Sequence, residues 1–309
     1  MKKLSLLMMV LSILLTSCDP KSSKEKVSGG LKYDSPEFSE KFNSYISVCN
    51  YYTASDKGSS WNQTLEYFYE KLGAPDKKDL KKEDVYFGNY MWGIDQSVKI
   101  AMENVGKSPD LGETDKSMLA FSKAIIDASS TLKQLESYYK GKNYLDDNYV
   151  KAEKLYQEFI VKQNKANAFY DKLINSMTKI KDNRDNYFLE SDKKQGRLIR
   201  YQMGLSMRCV KQIFMQIDAN KIGPDFKMNY DKLSLSIDEL NALATDDEAL
   251  KKSNITLKST FNNYLDYLTS IKGNLRVLLN ENLKEAERES ILKKLDDDYT
   301  NMIDDYNRL

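Results

Sequence analysis

Acidic side chains carry most of the reactive chemistry in this sequence. Two carboxylates at a suitable separation can perform acid–base catalysis or bind a hard cation such as Ca²⁺. Successive residues on a helix point about 100° apart, so most adjacent aspartates do not converge on one site. Helix caps and solvated faces are the favoured interpretation, and no calcium-loop spacing occurs. The adjacent groups are Asp146-Asp147, Asp246-Asp247, Asp296-Asp297-Asp298 and Asp304-Asp305.

Histidine is missing from all 309 residues. Its absence removes the usual general base near neutral pH and the commonest metal ligand. It also removes the Glu-x-x-His pairs on which di-iron helical bundles depend. The sequence contains no Gly-x-Ser-x-Gly motif, no phosphate-binding Gly-Lys-Ser/Thr loop and no Cys-x-x-Cys pair. We therefore predict no catalytic residue, no cofactor and no metal site.

Aromatic residues between positions 51 and 92 are the best candidates for a ligand groove. Tyr and Trp combine a flat apolar face with a polar tip, which suits a glycan or a peptide. The alternative is a core whose tyrosine hydroxyls reach solvent, and the presence of 21 Tyr in the chain favours it. The predicted groove residues are Trp61, Tyr67, Tyr69, Tyr90 and Trp92, with Tyr51, Tyr52 and Phe68 nearby in the sequence.

Cys49 and Cys209 lie in or beside helical patterns. An oxidising compartment would allow them to form a disulfide. The Cα atoms must then lie about 4.4–6.8 Å apart, a separation that two cysteines on helices rarely reach. Two separate buried thiols are therefore the favoured interpretation, and the disulfide is the alternative.

The third cysteine, Cys18, belongs to an N-terminal targeting pattern. Lys2 and Lys3 precede an apolar run over residues 4–15, which is too short to span a bilayer. The run ends in Leu15-Thr16-Ser17-Cys18, which resembles a bacterial lipobox, where cleavage precedes an acylated Cys. An ordinary secretory signal with a chance Cys is the alternative.

These features predict a lipoprotein signal peptide over residues 1–17 and lipidation at Cys18. Residues 18–34, rich in Lys, Ser and Gly, are predicted to be a flexible tether. The expected location is the cell envelope, where the acyl chains anchor the protein in a membrane and the chain faces the periplasm.

Helices are the elements that must position all these side chains. The longest pattern runs from Tyr149 to Ile180, without Gly or Pro, and only Gln163 interrupts its apolar character. A turn or sharp bend is expected between Lys181 and Gly196, where the residues at these spacings become polar. The seam residues are Tyr149, Ala152, Tyr156, Phe159, Gln163, Ala166, Tyr170, Leu173, Met177 and Ile180.

Similar spacing predicts the remaining helices. Ser35-Pro36 marks a helix start, and Gly73 marks a helix end. Asp146 or Asp147 is expected to cap the long helix, whose antiparallel neighbour is the preceding one. The other predicted helices cover residues 61–72, 95–105, 115–140, 199–217, 229–244, 257–278 and 292–309.

The fold class follows from these patterns and from composition. Only 13 Gly and 5 Pro argue against an all-β chain with its many turns. We predict an all-α, antiparallel helical bundle of long heptad-spaced helices, forming one domain over residues 35–309. The 47 basic and 46 acidic residues give no electrostatic reason to expect nucleic acid as a partner.

Several short motifs resemble the YiiG-like bacterial lipoproteins, a family of unknown function. They are Tyr45-Ile46 with Asn50, then Tyr138-Tyr139, Asn143-Tyr144 and Asp146-Asp147, and finally Met302-Ile303-Asp304-Asp305-Tyr306-Asn307. The lipobox is shared as well. The resemblance implies a helical envelope lipoprotein, and it supplies no catalytic residues.

The functional prediction is a non-enzymatic, lipid-anchored envelope protein that acts as a binding or scaffold module. Its expected partner, besides the membrane, is an envelope protein or a cell-wall component. The alternative is a carboxylate-based hydrolase of envelope polymers, which needs a cleft with two carboxylates about 5–9.5 Å apart. A structural spacer is a third interpretation, for which a convex surface without a pocket is expected.

Overall fold

The computed structural model describes residues 31–54, 59–82, 84–218, 223–279 and 283–309, and every regular element among them is an α-helix. The predicted all-α class is therefore confirmed. The described residues divide into two compact units, an N-terminal unit over 31–181 and a C-terminal unit over 182–309. The prediction of one domain over 35–309 stays a prediction. The predicted signal peptide and Cys18 lie outside the described residues.

Six helices begin in the N-terminal unit. The first starts as predicted, because the Ser35 side chain accepts a hydrogen bond from the Phe38 amide at 3.1 Å. The second ends at Gly73, which has a φ of 74°. The helices are α1 (Pro36–Thr53), α2 (Trp61–Leu72), α3 (Gly88–Val105), α4 (Glu113–Lys140), α5 (Tyr144–Asp147) and α6 (Val150–Lys194).

Helices α4 and α6 pack antiparallel, as predicted. Near the start of α4, the Phe121 ring lies 5.4 Å from the Tyr170 ring. Further along α4, Thr131 accepts a hydrogen bond from Lys162 at 2.9 Å. The contact on α6 thus moves toward its N-terminus as α4 advances, which defines an antiparallel pair.

The seam of α6 faces the core over most of its length. Every predicted seam residue is buried except Tyr149 and Tyr170. Tyr170 is half-buried. The prediction that Tyr149 begins the helical seam is wrong. Tyr149 lies one residue before α6, is half-buried and has a φ of 68°.

Helix α3 starts seven residues earlier than predicted, at Gly88. Glycine is a weak helix former, so Gly88 and Gly93 weaken the helix signal of the first turns in the sequence. Gly93 has a packing role, because a Cβ atom there would lie 2.5 Å from the Tyr51 ring and 2.7 Å from the Ser59 carbonyl oxygen. Close approach of α1 therefore selects glycine inside α3.

The turn expected between Lys181 and Gly196 lies at the end of that interval. Helix α6 continues to Lys194, and Gly196 then adopts a φ of 66°. The Arg197 amide donates to the Asp192 carbonyl oxygen at 2.8 Å, and the Arg197 guanidinium pairs with the Asp192 carboxylate. The left-handed glycine and this double contact end the helix.

The C-terminal unit has its own apolar core, to which every one of its longer helices contributes. Inside it, the Tyr264 hydroxyl lies 2.8 Å from Ser206 and 3.1 Å from the Met203 carbonyl oxygen. Arg200 donates to the carbonyl oxygens of Ser253 and Leu309. The helices are α7 (Leu198–Asp218), α8 (Pro224–Leu243), α9 (Asp247–Lys252), α10 (Lys258–Leu278) and α11 (Glu285–Arg308).

Candidate functional site

A surface groove between α3 and α4, in the N-terminal unit, is the best candidate for a binding site. The two helices are antiparallel, because the Phe87 amide at the start of α3 donates to Glu136 near the end of α4 at 2.8 Å. The side chain of Phe87, the N-cap residue, provides no capping hydrogen bond. The Glu136 carboxylate thus satisfies a helix N-terminus, where negative charge is favourable.

Asp95 holds the two helices together about two turns further along α3. Its Oδ1 accepts from the Ser129 hydroxyl at 3.0 Å, and its Oδ2 accepts from the Lys133 ammonium at 2.8 Å. Both carboxylate oxygens are therefore engaged across the helix pair. Ser129 also lies 3.4 Å from the Met91 sulfur.

Beyond Asp95 the helix faces open into a groove with a volume of about 630 Å³, within the roughly 300–1,000 Å³ typical of ligand pockets. Its residues recur at spacings of three and four on each helix, so each helix presents one continuous face. The α3 face carries Asp95, Val98, Lys99, Met102 and Glu103, and the α4 face carries Ile126, Ser129, Ser130 and Lys133.

The groove has an apolar floor and a charged rim. Val98 is buried, Met102 is half-buried and Ile126 is 45% exposed. At the rim, Lys99 and Glu103 are exposed, and neither forms an ion pair within the described residues. A ligand here would find apolar contact flanked by one free charge of each sign.

A buried lysine secures the loop that joins α3 to α4. The Lys41 ammonium lies 2.7 Å from Asp115 Oδ2 and donates to the carbonyl oxygens of Val105, Lys107 and Pro109 at 2.7–3.0 Å. All its donors are used, so Lys41 holds the loop closed rather than offering a nucleophile.

The same network includes Tyr45, which donates to Asp115 Oδ1 at 2.6 Å. Burial, together with the Asp115 carboxylate, raises the pKa of the Tyr45 hydroxyl above its ordinary value. The hydroxyl therefore stays protonated and remains a donor at neutral pH.

One residue of the predicted aromatic groove, Trp61, is not available to a ligand. Trp61 is fully buried, so the structure places it in the core and removes it from any accessible groove. Tyr67 is half-buried against Phe87, while Tyr69 and Trp92 are exposed. The side chain of Tyr90 lies outside the described part of the structure. Trp92, 64% exposed, precedes Asp95 by three residues and is the member nearest to the α3–α4 groove in sequence.

The α3–α4 groove was not among the predicted sites. Its signal was a second stripe on α4, with Ile126 and Lys133 beside the apolar seam of that helix, which contains Phe121, Ile125 and Leu132. That seam is buried, whereas Ile126 stays exposed. A second stripe of spaced residues next to a core-facing seam is the pattern that indicates such a groove.

The adjacent aspartates lie at separate places. Asp147 accepts the amides of Tyr149 and Lys151 at 3.1 Å, so it caps α6 as predicted. Asp246 caps α9 through the amides of Glu248 and Ala249. Within the described residues, no group of three or more Asp, Glu or Cys side chains could hold a metal ion.

The two described cysteines are both free and buried. Cys49 lies 3.7 Å from the Met177 sulfur, and burial raises the pKa of its thiol to about 12. Burial also raises the pKa of the Cys209 thiol. Both groups are therefore protonated at neutral pH and poorly reactive.

These features define an all-α protein with a helix-lined surface groove. A sequence comparison matches residues 36–308 to the family described as "Protein of unknown function (DUF3829)", and the chain belongs to that family. No curated protein matches the chain. No solved structure matches it either. None of the described helices combines the length and the apolar character needed to cross a membrane.

Proposed function

We propose that this protein is a lipid-anchored cell-envelope protein of the YiiG-like group, which binds another polypeptide in the α3–α4 groove. The basic start, the apolar run and the lipobox-like ending at Cys18 support the anchor and the periplasm-facing location. The groove supports a binding role and is the observation on which that role depends.

The dimensions and chemistry of the groove favour an amphipathic helical segment as ligand. Asp95 and Glu103 are eight residues apart, which corresponds to a length of about 12 Å, or two helical turns. A helix laid between α3 and α4 would place apolar side chains on Val98, Met102 and Ile126. Its flanking charges would meet Lys99 and Glu103.

The groove does not favour the hydrolase alternative. The axial separation of Asp95 and Glu103, about 12 Å, exceeds the roughly 5–9.5 Å that paired catalytic carboxylates require. Asp95 is also half-buried and bound to Ser129 and Lys133, whereas Glu103 is exposed.

A photo-crosslinking amino acid at Ile126, introduced into the full chain in living cells, tests the binding role. We expect one defined envelope protein to be captured, and we expect Lys99→Glu with Lys133→Glu to reduce its capture. Val161, which is 68% exposed on α6, provides the matched control position. Equal capture from Val161, or capture that the charge reversals leave unchanged, would refute the groove as the binding site.

The anchor has a separate test. The intact mass of the purified mature protein should equal a chain that begins at Cys18 plus its acyl groups. A Cys18→Ser variant should lack that mass and retain residues 1–17. A mature chain of unmodified mass would contradict the proposed anchor without affecting the groove.

A further inference from the structure

We propose that the hairpin tip, defined as residues 140–154 between α4 and α6, docks on an anionic lipid bilayer. This surface is distinct from the α3–α4 groove, and the inference does not require lipidation of Cys18. It depends on three observations, which are a fixed backbone, two exposed aliphatic side chains and an excess of unpaired ammonium groups.

The backbone of the hairpin tip adopts a costly conformation. Lys142, Asn148 and Tyr149 have φ values of 52°, 50° and 68°, which non-glycine residues rarely adopt. A bulky residue such as Tyr149 is especially unfavourable there. Such a conformation persists only when surrounding contacts determine it, so the shape of the tip is imposed by its side chains.

Those side chains form a compact support. The Tyr138 hydroxyl donates to Asp147 Oδ1 at 2.5 Å, and the Asp147 carboxylate also caps α6. The rings of Tyr144 and Tyr149 stack with centroids 5.1 Å apart and planes 2° from parallel. Tyr139 ties the base of the tip to the Leu80 carbonyl oxygen at 2.9 Å.

This support presents two aliphatic side chains to solvent. Leu145 and Val150 each follow one of the stacked tyrosines in sequence. They are 75% and 71% exposed, the highest values among the large apolar side chains of the described residues. Rigid presentation of isolated aliphatic groups at a turn suits insertion into the headgroup region of a bilayer.

The charges around these side chains favour an anionic surface. Lys140, Lys142, Lys151 and Lys154 are exposed, and none forms an ion pair within the described residues. The carboxylates of the tip are mostly engaged, because Asp147 is hydrogen-bonded to Tyr138 and Glu153 pairs with Lys78.

Of the carboxylates in residues 140–154, only Asp146 is exposed without a side-chain partner in the described structure. Asp147 keeps its negative charge, because its partners are a neutral hydroxyl and backbone amides, whereas Lys78 compensates the charge of Glu153. Four ammonium groups therefore face solvent against the two uncompensated carboxylates of Asp146 and Asp147, and the excess charge is positive. Long lysine side chains can reach lipid phosphates while Leu145 and Val150 enter the interface.

An environment-sensitive fluorophore at Leu145→Cys tests the inference. The full chain also carries Cys18→Ser, so that the introduced thiol is the accessible one, because Cys49 and Cys209 are buried. We expect a blue shift with phosphatidylglycerol vesicles and no blue shift with phosphatidylcholine vesicles.

Two matched controls accompany this measurement. The same fluorophore at Val161→Cys, an exposed aliphatic position on α6, should show no blue shift with either type of vesicle. In the Leu145→Cys chain, Lys142→Glu with Lys151→Glu should raise the lipid concentration at half-maximal shift by at least about fivefold. Lys172→Glu with Lys179→Glu, the same charge change further along α6, should leave it unchanged.

Four outcomes would overturn the proposal. They are an absent shift at Leu145, an equal shift at Val161, an equal shift with phosphatidylcholine, and a shift that rises with protein concentration without vesicles. The last outcome would assign the hairpin tip to a contact between two copies of the chain. Each outcome is independent of the mass and crosslinking tests of the proposed function.

Discussion

The indole N–H of Trp61 donates a hydrogen bond to Oε1 of Gln163 at 2.8 Å, and both side chains are buried. Gln163 is the one strongly polar residue in the seam of α6, and Trp61 is the residue of the predicted aromatic groove that is buried in the core. The amide nitrogen of Gln163 donates to the Tyr52 hydroxyl at 3.2 Å and to Asn167 Oδ1 at 3.0 Å. The polar seam residue thus satisfies the polar atoms of buried aromatic residues.

Replacing Gln163 by Leu should destabilise the N-terminal unit by about 1–3 kcal/mol, because the buried Trp61 donor loses its acceptor. Urea unfolding followed by tryptophan fluorescence measures the effect, since Trp61 and Trp92 both lie in that unit. Gln157→Leu is the matched control on the same helix, where the side chain is exposed. It should change the stability by less than about 0.5 kcal/mol. Equal effects of the two variants would contradict this role.

Lys41→Met should cost about 3–5 kcal/mol, because it leaves the buried Asp115 carboxylate without its cation. Lys107→Met removes a lysine from an exposed pair with Glu40, 4.0 Å apart, and should cost about 0–1 kcal/mol. The same fluorescence-detected unfolding compares the two variants. A small loss for Lys41→Met would show that the lysine does not secure the α3–α4 loop.

Stability should fall in acid partly through Asp147. The hydrogen bond from Tyr138, and then the amides of Lys151 and Tyr149, lower the pKa of the Asp147 carboxyl. A lowered pKa in the folded state stabilises the fold above the unfolded value of about 3.9, and this contribution is lost as the pH falls through the folded value. Asp147→Asn should therefore destabilise the protein near neutral pH, and its difference from wild type should shrink below about pH 4.

The control for this pH dependence is Asp146→Asn, which alters the adjacent exposed carboxylate. Its side chain forms no hydrogen bond within the described structure. We expect the urea midpoint of Asp146→Asn to equal that of the wild-type protein at each acidic pH. A constant difference between Asp147→Asn and wild type at every pH would show that the carboxylate charge is not responsible.

The thiols of Cys49 and Cys209 should both be free and slow to react in the folded protein. Burial keeps them protonated, and the thiolate is the reactive form. In the Cys18→Ser chain, a thiol-specific reagent should modify two cysteines after unfolding without reductant. Neither thiol reacting under those conditions would establish the disulfide that the sequence left open.

Much of the helical structure could be predicted because its signals are local. Ser35 caps α1 through its own side chain, and Gly73 ends α2, as their positions in the sequence indicated. The same local signals failed at α3, which begins at Gly88 although the predicted helix began at Asp95. The contact of α1 with Gly93 outweighs the low helix propensity of glycine.

The candidate site was less predictable, because it depends on which helix faces meet. Trp61 and Trp92 both occur in aromatic segments, yet one is buried and the other is 64% exposed. Trp61 packs against α6, where Phe159 contacts its ring and Gln163, 102 residues away in sequence, accepts its hydrogen bond. Spacing along one helix carries no information about such a partner.

The sequence by itself therefore determined the helical class, most helix ends and the seam of α6, because periodicity and capping act over a few residues. The tertiary structure alone decided the α3–α4 groove and the supported tip that presents Leu145 and Val150. Both depend on long-range contacts, those of Lys41 and Asp95 in one case and that of Tyr139 with Leu80 in the other. Burial and hydrogen-bond partners are fixed only when separate helices pack.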